Sequence, residues 1–192
     1  MFYDFNMLKK EMTKLEIEKE LSKQGDYVQI DNITRFLKEN LPVDVKKFVL
    51  LKLVEIYEKR AMFQAAADIY NKLTEITMVA SDKNLYFIKE IQCYIKAGFF
   101  DKAELTIKRV VGEVSVAERA KIVNTIRDFY KSQAETYEKE GRRNKALQTY
   151  EKMLTMNYSE IEKANIDKKL LGLYKNLGMI NQFMALEKKL NK

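Results

Sequence analysis

Nucleophilic and metal chemistry need residue types that this chain barely owns. Among its 192 residues there is one Cys, Cys93, and no His. That excludes Cys/His zinc sites, disulfide frameworks, Ser-His-Asp and Cys-His catalysis, and a His general base. Cys93 stands beside Tyr94 in an otherwise apolar stretch with no evident basic partner, and it reads as a small core residue rather than a reactive thiol. There is no glycine-rich phosphate loop, no carboxylate pair beyond ordinary helix faces and no metal-ligand spacing. The expectation is a chain that is not an enzyme and holds no metal or cofactor. Eleven Tyr and ten Phe could stack on bases, but most recur at fixed places in a repeat, where packing between helices accounts for them.

The elements that carry these residues are helical. Aliphatic and aromatic residues make up 46% of the chain and charged residues 33%, a globular balance, with one Pro and six Gly. So few breakers exclude a long disordered linker or a turn-dense β-sandwich. Five segments share one pattern: an apolar helix, a small turn residue, then a second helix with a small residue between large ones. In LVEIYEKRAMFQAAADIYNKL the frame is Leu53, Tyr57, the turn Ala61, then Phe63, Ala66, Tyr70 and Leu73. The next copy gives Ile91, Tyr94, Gly98, Phe100, Ala103, Ile107 and Val110, and the fourth gives Ala134, Tyr137, Gly141, Ala146, Tyr150 and Met153. A last copy gives Leu170, Tyr174, Gly178, Ile180, Phe183 and Leu190, and a weaker first one Ile17, Leu21, Gly25, Tyr27, Ile30 and Leu37. The turn residues 25, 61, 98, 141 and 178 are 36, 37, 43 and 37 apart. Glycine there predicts a helix ending in a left-handed residue. Ser115 with Glu118, and Ser159 with Glu162, spell capping boxes; Ser81 and Asp44 are the expected N-caps of the two first helices before them. The box at Ser115 explains the long step by starting its helix early, at about 25 residues and about 37 Å.

The frame resembles the tetratricopeptide repeat. The resemblance rests on Tyr57, Tyr94 and Tyr137, on Gly98 and Gly141, on Ala66, Ala103 and Ala146, and on Tyr70 and Tyr150. It covers about residues 11–192, with a unit longer than the family's usual one and no Trp. It implies an all-α fold, a right-handed solenoid of about five helix-turn-helix repeats and about ten helices. The expected layout is one domain over 1–192 with repeats near 11–44, 47–80, 84–117, 127–160 and 164–192. In that family the first helix of each pair lines a concave groove that receives a peptide. The corresponding residues here are Phe48, Leu51 and Glu55, then Leu85, Ile88, Gln92 and Ile95, then Lys131, Lys168 and Lys175. Leu85, Ile88, Gln92 and Ile95 fall at i, i+3, i+7 and i+10, one helix stripe, and each apolar one is expected to be partly exposed. Apolar side chains in a groove mark an interaction site, or core if the superhelix is tight. The same faces of these helices also include Glu58, Glu135, Glu138, Asn165, Gly172 and Asn176.

The resemblance implies a non-catalytic interaction scaffold or adaptor whose partner is another protein, through an amphipathic or acidic segment. RNA binding by a helical array and a peptide-sensing regulatory domain are the alternatives. The net charge of +7 and pI near 9.2 permit nucleic acid, but the cations are scattered and mostly lysine. Charge is uneven: residues 1–45 hold seven basic and nine acidic residues, residues 161–192 seven and three. No run is long and apolar enough to span a membrane, and with no signal pattern and one Cys the chain reads as cytoplasmic. Met1, Phe2, Tyr3, Phe5, Met7 and Leu8 form an apolar lead that reads as a cap on the first repeat, with docking on another copy or a membrane surface as the other readings. Ile180, Met184 and Leu186 at the other end invite homodimerisation through terminal helices. If the frame is right, Ala146→Leu overpacks a helix contact and costs about 1–3 kcal/mol; equal thermal unfolding of this variant and wild type would place Ala146 outside the frame.

Overall fold

The computed structural model describes residues 8–191. Among them every regular element is a helix: α1 (Lys14–Ser22), α2 (Asp26–Phe36), α3 (Val43–Lys59), α4 (Phe63–Ile76), α5 (Ala80–Ala97), α6 (Phe100–Glu113), α7 (Val116–Lys139), α8 (Arg143–Leu154), α9 (Glu160–Asn176) and α10 (Ile180–Leu190). These are the ten helices and the hairpin pairs that the repeat implies. Two compact units divide them, Met1–Phe99 and Phe100–Lys192. Consecutive helices pack on one another from α2 to α5 in the first unit and from α6 to α10 in the second.

Four first helices close in the same way. Ala61, Gly98, Gly141 and Gly178 have φ of 55°, 85°, 69° and 69°. The residue after each donates its backbone N–H to a tyrosine carbonyl five residues back: Met62 to Tyr57, Phe99 to Tyr94, Arg142 to Tyr137 and Met179 to Tyr174, at 2.8–2.9 Å. The left-handed residue itself bonds three residues back, which completes the double closure of a Schellman turn. Gly25 departs from expectation. Its φ is −72° and it is the N-cap of α2, because α1 ends three residues earlier at Ser22 and the chain needs an extended residue to enter α2.

The capping boxes at Ser115 and Ser159 both form, and α7 runs 24 residues. Thr13 and Glu16 make a third box that the sequence reading missed. Ser81 and Asp44 do not cap. α5 begins one residue before Ser81 with Val79 as its cap, and α3 follows Pro42, so Asp44 sits in the first turn and meets Lys14 at 2.8 Å instead. Pro42 at the cap position offers the first-turn N–H groups no side-chain acceptor, and the Asp44 carboxylate meets the backbone of Val45 and its own residue instead.

In the first unit Ile17, Ile33, Leu50, Leu53, Leu73, Phe87 and Ile91 are buried around Ala66 and Ala67, which are fully inaccessible. Neighbouring first helices run in register, marked by polar contacts one repeat apart: Lys52 to Glu18, Lys47 to Asp82 and Cys93 to Glu58. In the second unit Ala103, Ala134 and Ala146 are fully inaccessible beside Tyr130, Tyr137, Tyr150 and Met153. Phe100 stacks on Tyr130 at 6.2 Å. Lys108 and Lys152 together hold the Glu104 carboxyl down to about 2. Leu8 is buried; the rest of the apolar lead, Met1, Phe2, Tyr3, Phe5 and Met7, lies outside the described residues.

Gly98 has nothing within 4 Å of where a Cβ would stand, so Gly98→Ala tests backbone strain alone. It should cost about 1–2 kcal/mol, and Ala61→Gly should raise stability in the opposite sense. Urea midpoints that move together, or not at all, would show that the turns do not set stability.

Candidate functional site

Face of the first helices in unit one. α3 places Phe48 and Leu51, both half-buried, and the exposed Glu55. Lys52 spans this stretch. Its amine lies 5.7 Å from the Phe48 ring centre, 2.6 Å from Glu18 and 3.5 Å from Glu55. On α5, Leu85 is 50% exposed, and Ile88 and Gln92 are half-buried. Ile95 is not part of this surface: it is fully buried. Cys93, Tyr94 and Ile95 are three consecutive buried residues, so the last turn of α5 is enclosed nearly all round and the stripe runs from surface into core. The open part of the apolar stripe is therefore Phe48, Leu51, Leu85 and Ile88.

Beneath that face, Glu58 accepts hydrogen bonds from the Tyr70 hydroxyl at 3.1 Å and the Cys93 thiol at 3.4 Å. Burial, then the nearby Glu58 carboxylate, pushes the Cys93 thiol up to about 12, and the same two causes raise the Tyr70 phenol. Glu138 repeats the arrangement in the second unit, taking the Tyr150 hydroxyl at 2.8 Å and the Lys169 amine at 2.9 Å. Both glutamates lie three residues before a left-handed turn. They latch a second helix to its first helix, and neither is the unengaged groove residue that position in the repeat suggested.

The corresponding face of unit two is a cleft between α7 and α9. Lys131 is exposed at its rim, and Lys168 and Lys175 are exposed on α9; none of the three makes an ion pair or hydrogen bond among the described residues. A cavity of about 140 Å³ opens here. Met153, Ile166, Tyr150 and Tyr158 give it an apolar interior, with Lys131, Glu135, Glu162, Asn165 and Lys169 around it. Tyr158 fixes one wall. Its hydroxyl donates to the Arg127 carbonyl at 2.9 Å, its ring lies 4.2 Å from the Arg127 guanidinium, and burial pushes its phenol up to about 12. Arg127 in turn reaches Glu162 at 2.9 Å. Sequence reasoning missed Tyr158; the one signal was its place just ahead of the Ser159 capping box.

Arg142, Arg143 and Lys145 surround a shallower depression at the α7–α8 turn. Two of these cations are engaged: Arg142 meets Glu140 at 3.1 Å, and the Lys145 amine lies 5.6 Å from the Tyr137 ring centre. Among the described residues no group of three or more thiol or carboxylate side chains could hold a metal, and no helix is long and apolar enough to cross a membrane.

Ten helices joined as repeating hairpins define a helical-repeat protein. The family model of the tetratricopeptide repeat matches residues 130–160, the stretch that holds Tyr137, Gly141, Ala146 and Tyr150. With the all-helical architecture, that match makes this a tetratricopeptide-like helical-repeat protein, of a kind that serves in general as a protein-interaction module. No curated protein matches the chain.

A thiol that is 1% exposed and held protonated should not react. Native protein at pH 8 is expected to leave Ellman's reagent unreduced over the time in which the urea-unfolded chain releases one equivalent of thionitrobenzoate. Rapid labelling of the native chain would mean that α5 opens at Cys93.

Proposed function

We propose that the chain is a non-catalytic scaffold that holds a segment of a partner protein against the exposed faces of its first helices, in the manner of a groove that takes an amphipathic peptide. The observation that supports this most is the open apolar stripe of Phe48, Leu51, Leu85 and Ile88. A helix such as α5 that buries Phe87, Ile91 and Tyr94 on one side and still shows Leu85 and Ile88 on another is apolar on two faces, and the chain covers one of them. Two or three aliphatic anchors at about 1.5–3 kcal/mol each, less the costs of association, suit micromolar binding.

RNA binding is the second reading. Its support is charge: residues 100–192 hold 19 basic and 13 acidic residues, net +6, against 16 and 15 in residues 1–99. The carboxylates of Glu135, Glu138 and Glu162 interleave the lysines of α7 and α9 and weigh against a phosphate backbone there. A peptide-sensing regulatory role has no observation of its own. A lone buried thiol suits a reducing compartment, the cytoplasm. α10 has no buried residue, Leu186 is half-buried, and Ile180 and Met184 are 67% and 60% exposed, which is the basis for self-association through this helix.

Ile88→Lys should abolish capture of the natural partner by in-cell crosslinking while far-UV circular dichroism stays unchanged. An unaltered partner set would refute the scaffold reading at this face, and loss of helicity would make the stripe core.

A further inference from the structure

Gly172 is the one glycine in the middle of a helix of the first-helix type, and the fold gives no reason for it. It is exposed, it has no positive φ, and nothing lies within 4 Å of where its Cβ would stand. Internal packing would accept any side chain there. Glycine at such a place weakens the helix relative to alanine. The remaining physical use of a missing side chain is to let another backbone come close to α9.

The surroundings say what that backbone carries. Asn165, Lys169, Gly172 and Asn176 fall at i, i+4, i+7 and i+11, one exposed stripe along α9. Lys168 and Lys175 flank it on one side. Lys131 stands across the cleft on α7, beside the cavity of about 140 Å³ that Asn165 and Lys169 help to line. Lys131, Lys168 and Lys175 have no carboxylate partner among the described residues, in a unit of net charge +6. The cavity interior is Met153, Ile166 and the faces of two tyrosines whose hydroxyls are already engaged with Glu138 and the Arg127 carbonyl. It offers an aliphatic side chain contact and offers a polar one little.

We propose that the α7–α9 face holds an acidic peptide segment of another protein, with its backbone against Gly172, one aliphatic side chain in the cavity, and carboxylates meeting Lys131, Lys168 and Lys175. This rests on the scaffold reading and names its ligand class on the second unit. Nucleic acid also seeks lysine, but Glu135 and Glu162 at the cavity rim repel a phosphate chain, whereas a peptide can space its carboxylates away from them.

The test pans a phage-displayed library of random peptides, roughly twelve residues long, on the full-length chain, then titrates synthetic copies of the recovered peptides. The expected peptides carry an aliphatic residue flanked by Asp or Glu. Gly172→Leu should raise the melting temperature by about 2–4 °C, since it restores helix propensity, yet weaken peptide binding by about tenfold or more. Lys168→Glu should weaken binding with no change in melting temperature. Peptides without acidic residues, or binding that Gly172→Leu and Lys168→Glu leave intact, would overturn the assignment to α9; loss on Ile88→Lys alone would then leave the scaffold reading standing. If no peptide binds at all, both fall. Oligouridine that binds in competition with the peptides and is lost on Lys131→Glu would overturn the proposal in favour of nucleic acid.

Discussion

Everything in this molecule depends on how a first helix stops. A helix leaves its last carbonyls without partners, and here the solution is one left-handed residue whose successor bonds back to a tyrosine carbonyl. That closure ends the first helix and lets the second begin within at most three residues. Ala66 and Ala146, on the second helices that follow two of these turns, are fully buried, and a small side chain there lets a neighbouring helix come close. The non-glycine Ala61 adopts the same conformation at φ 55°, which shows that the turn is imposed by the packing and not merely permitted by glycine.

Three of the four turn tyrosines work twice. Their carbonyls close the turn, and their hydroxyls reach the second helix of the preceding pair: Tyr57 pairs with Thr34, Tyr94 donates to Asp68 at 3.1 Å and Tyr174 to Glu151 at 2.8 Å. Tyr70 and Tyr150 add the reverse link, from second helix to first. A hydrogen bond to a charged group contributes about 1.5–3 kcal/mol net, and the buried ring contributes apolar area besides. So the richness in tyrosine serves adhesion between layers. Those rings are spent on the fold.

What was legible in the sequence was what is local or periodic. Glycine at 98, 141 and 178, the alanines and the two serine capping boxes act within a few residues of themselves, and each turned up in place. Gly25 misled because its frame position was right while α1 stopped short, so a turn glycine became an N-cap. Ile95 misled because helical spacing sets direction but not depth. Leu85 and Ile95 share a stripe, and only the tertiary fold encloses the last turn of α5. Glu58 and Glu138 are the instructive pair. By their place in the repeat they read as groove-facing, and their tyrosine partners twelve residues away are visible only once the hairpin has closed.

Fold and function therefore draw on different faces of the same helices. α9 packs on α8 and α10, and its buried side carries Ile166, Leu170 and Leu173, where the repeat leaves little freedom of residue type. The adjacent exposed stripe, through Asn165, Gly172 and Asn176, carries no structural duty that the packing reveals. Surface lysines attract acidic partners from beyond contact distance, but salt screens that attraction over about 8–10 Å, so charge alone sets the rate of encounter more than the identity of what stays bound. Identity has to come from shape at short range. In the second unit the features with shape are a small apolar cavity walled by Tyr158 and a stretch of α9 stripped of its side chain. The cavity walls Tyr150, Met153 and Tyr158 are part of the buried core and change only at a cost in stability, whereas position 172 has no packing neighbour, so of the two features it is the one free to vary.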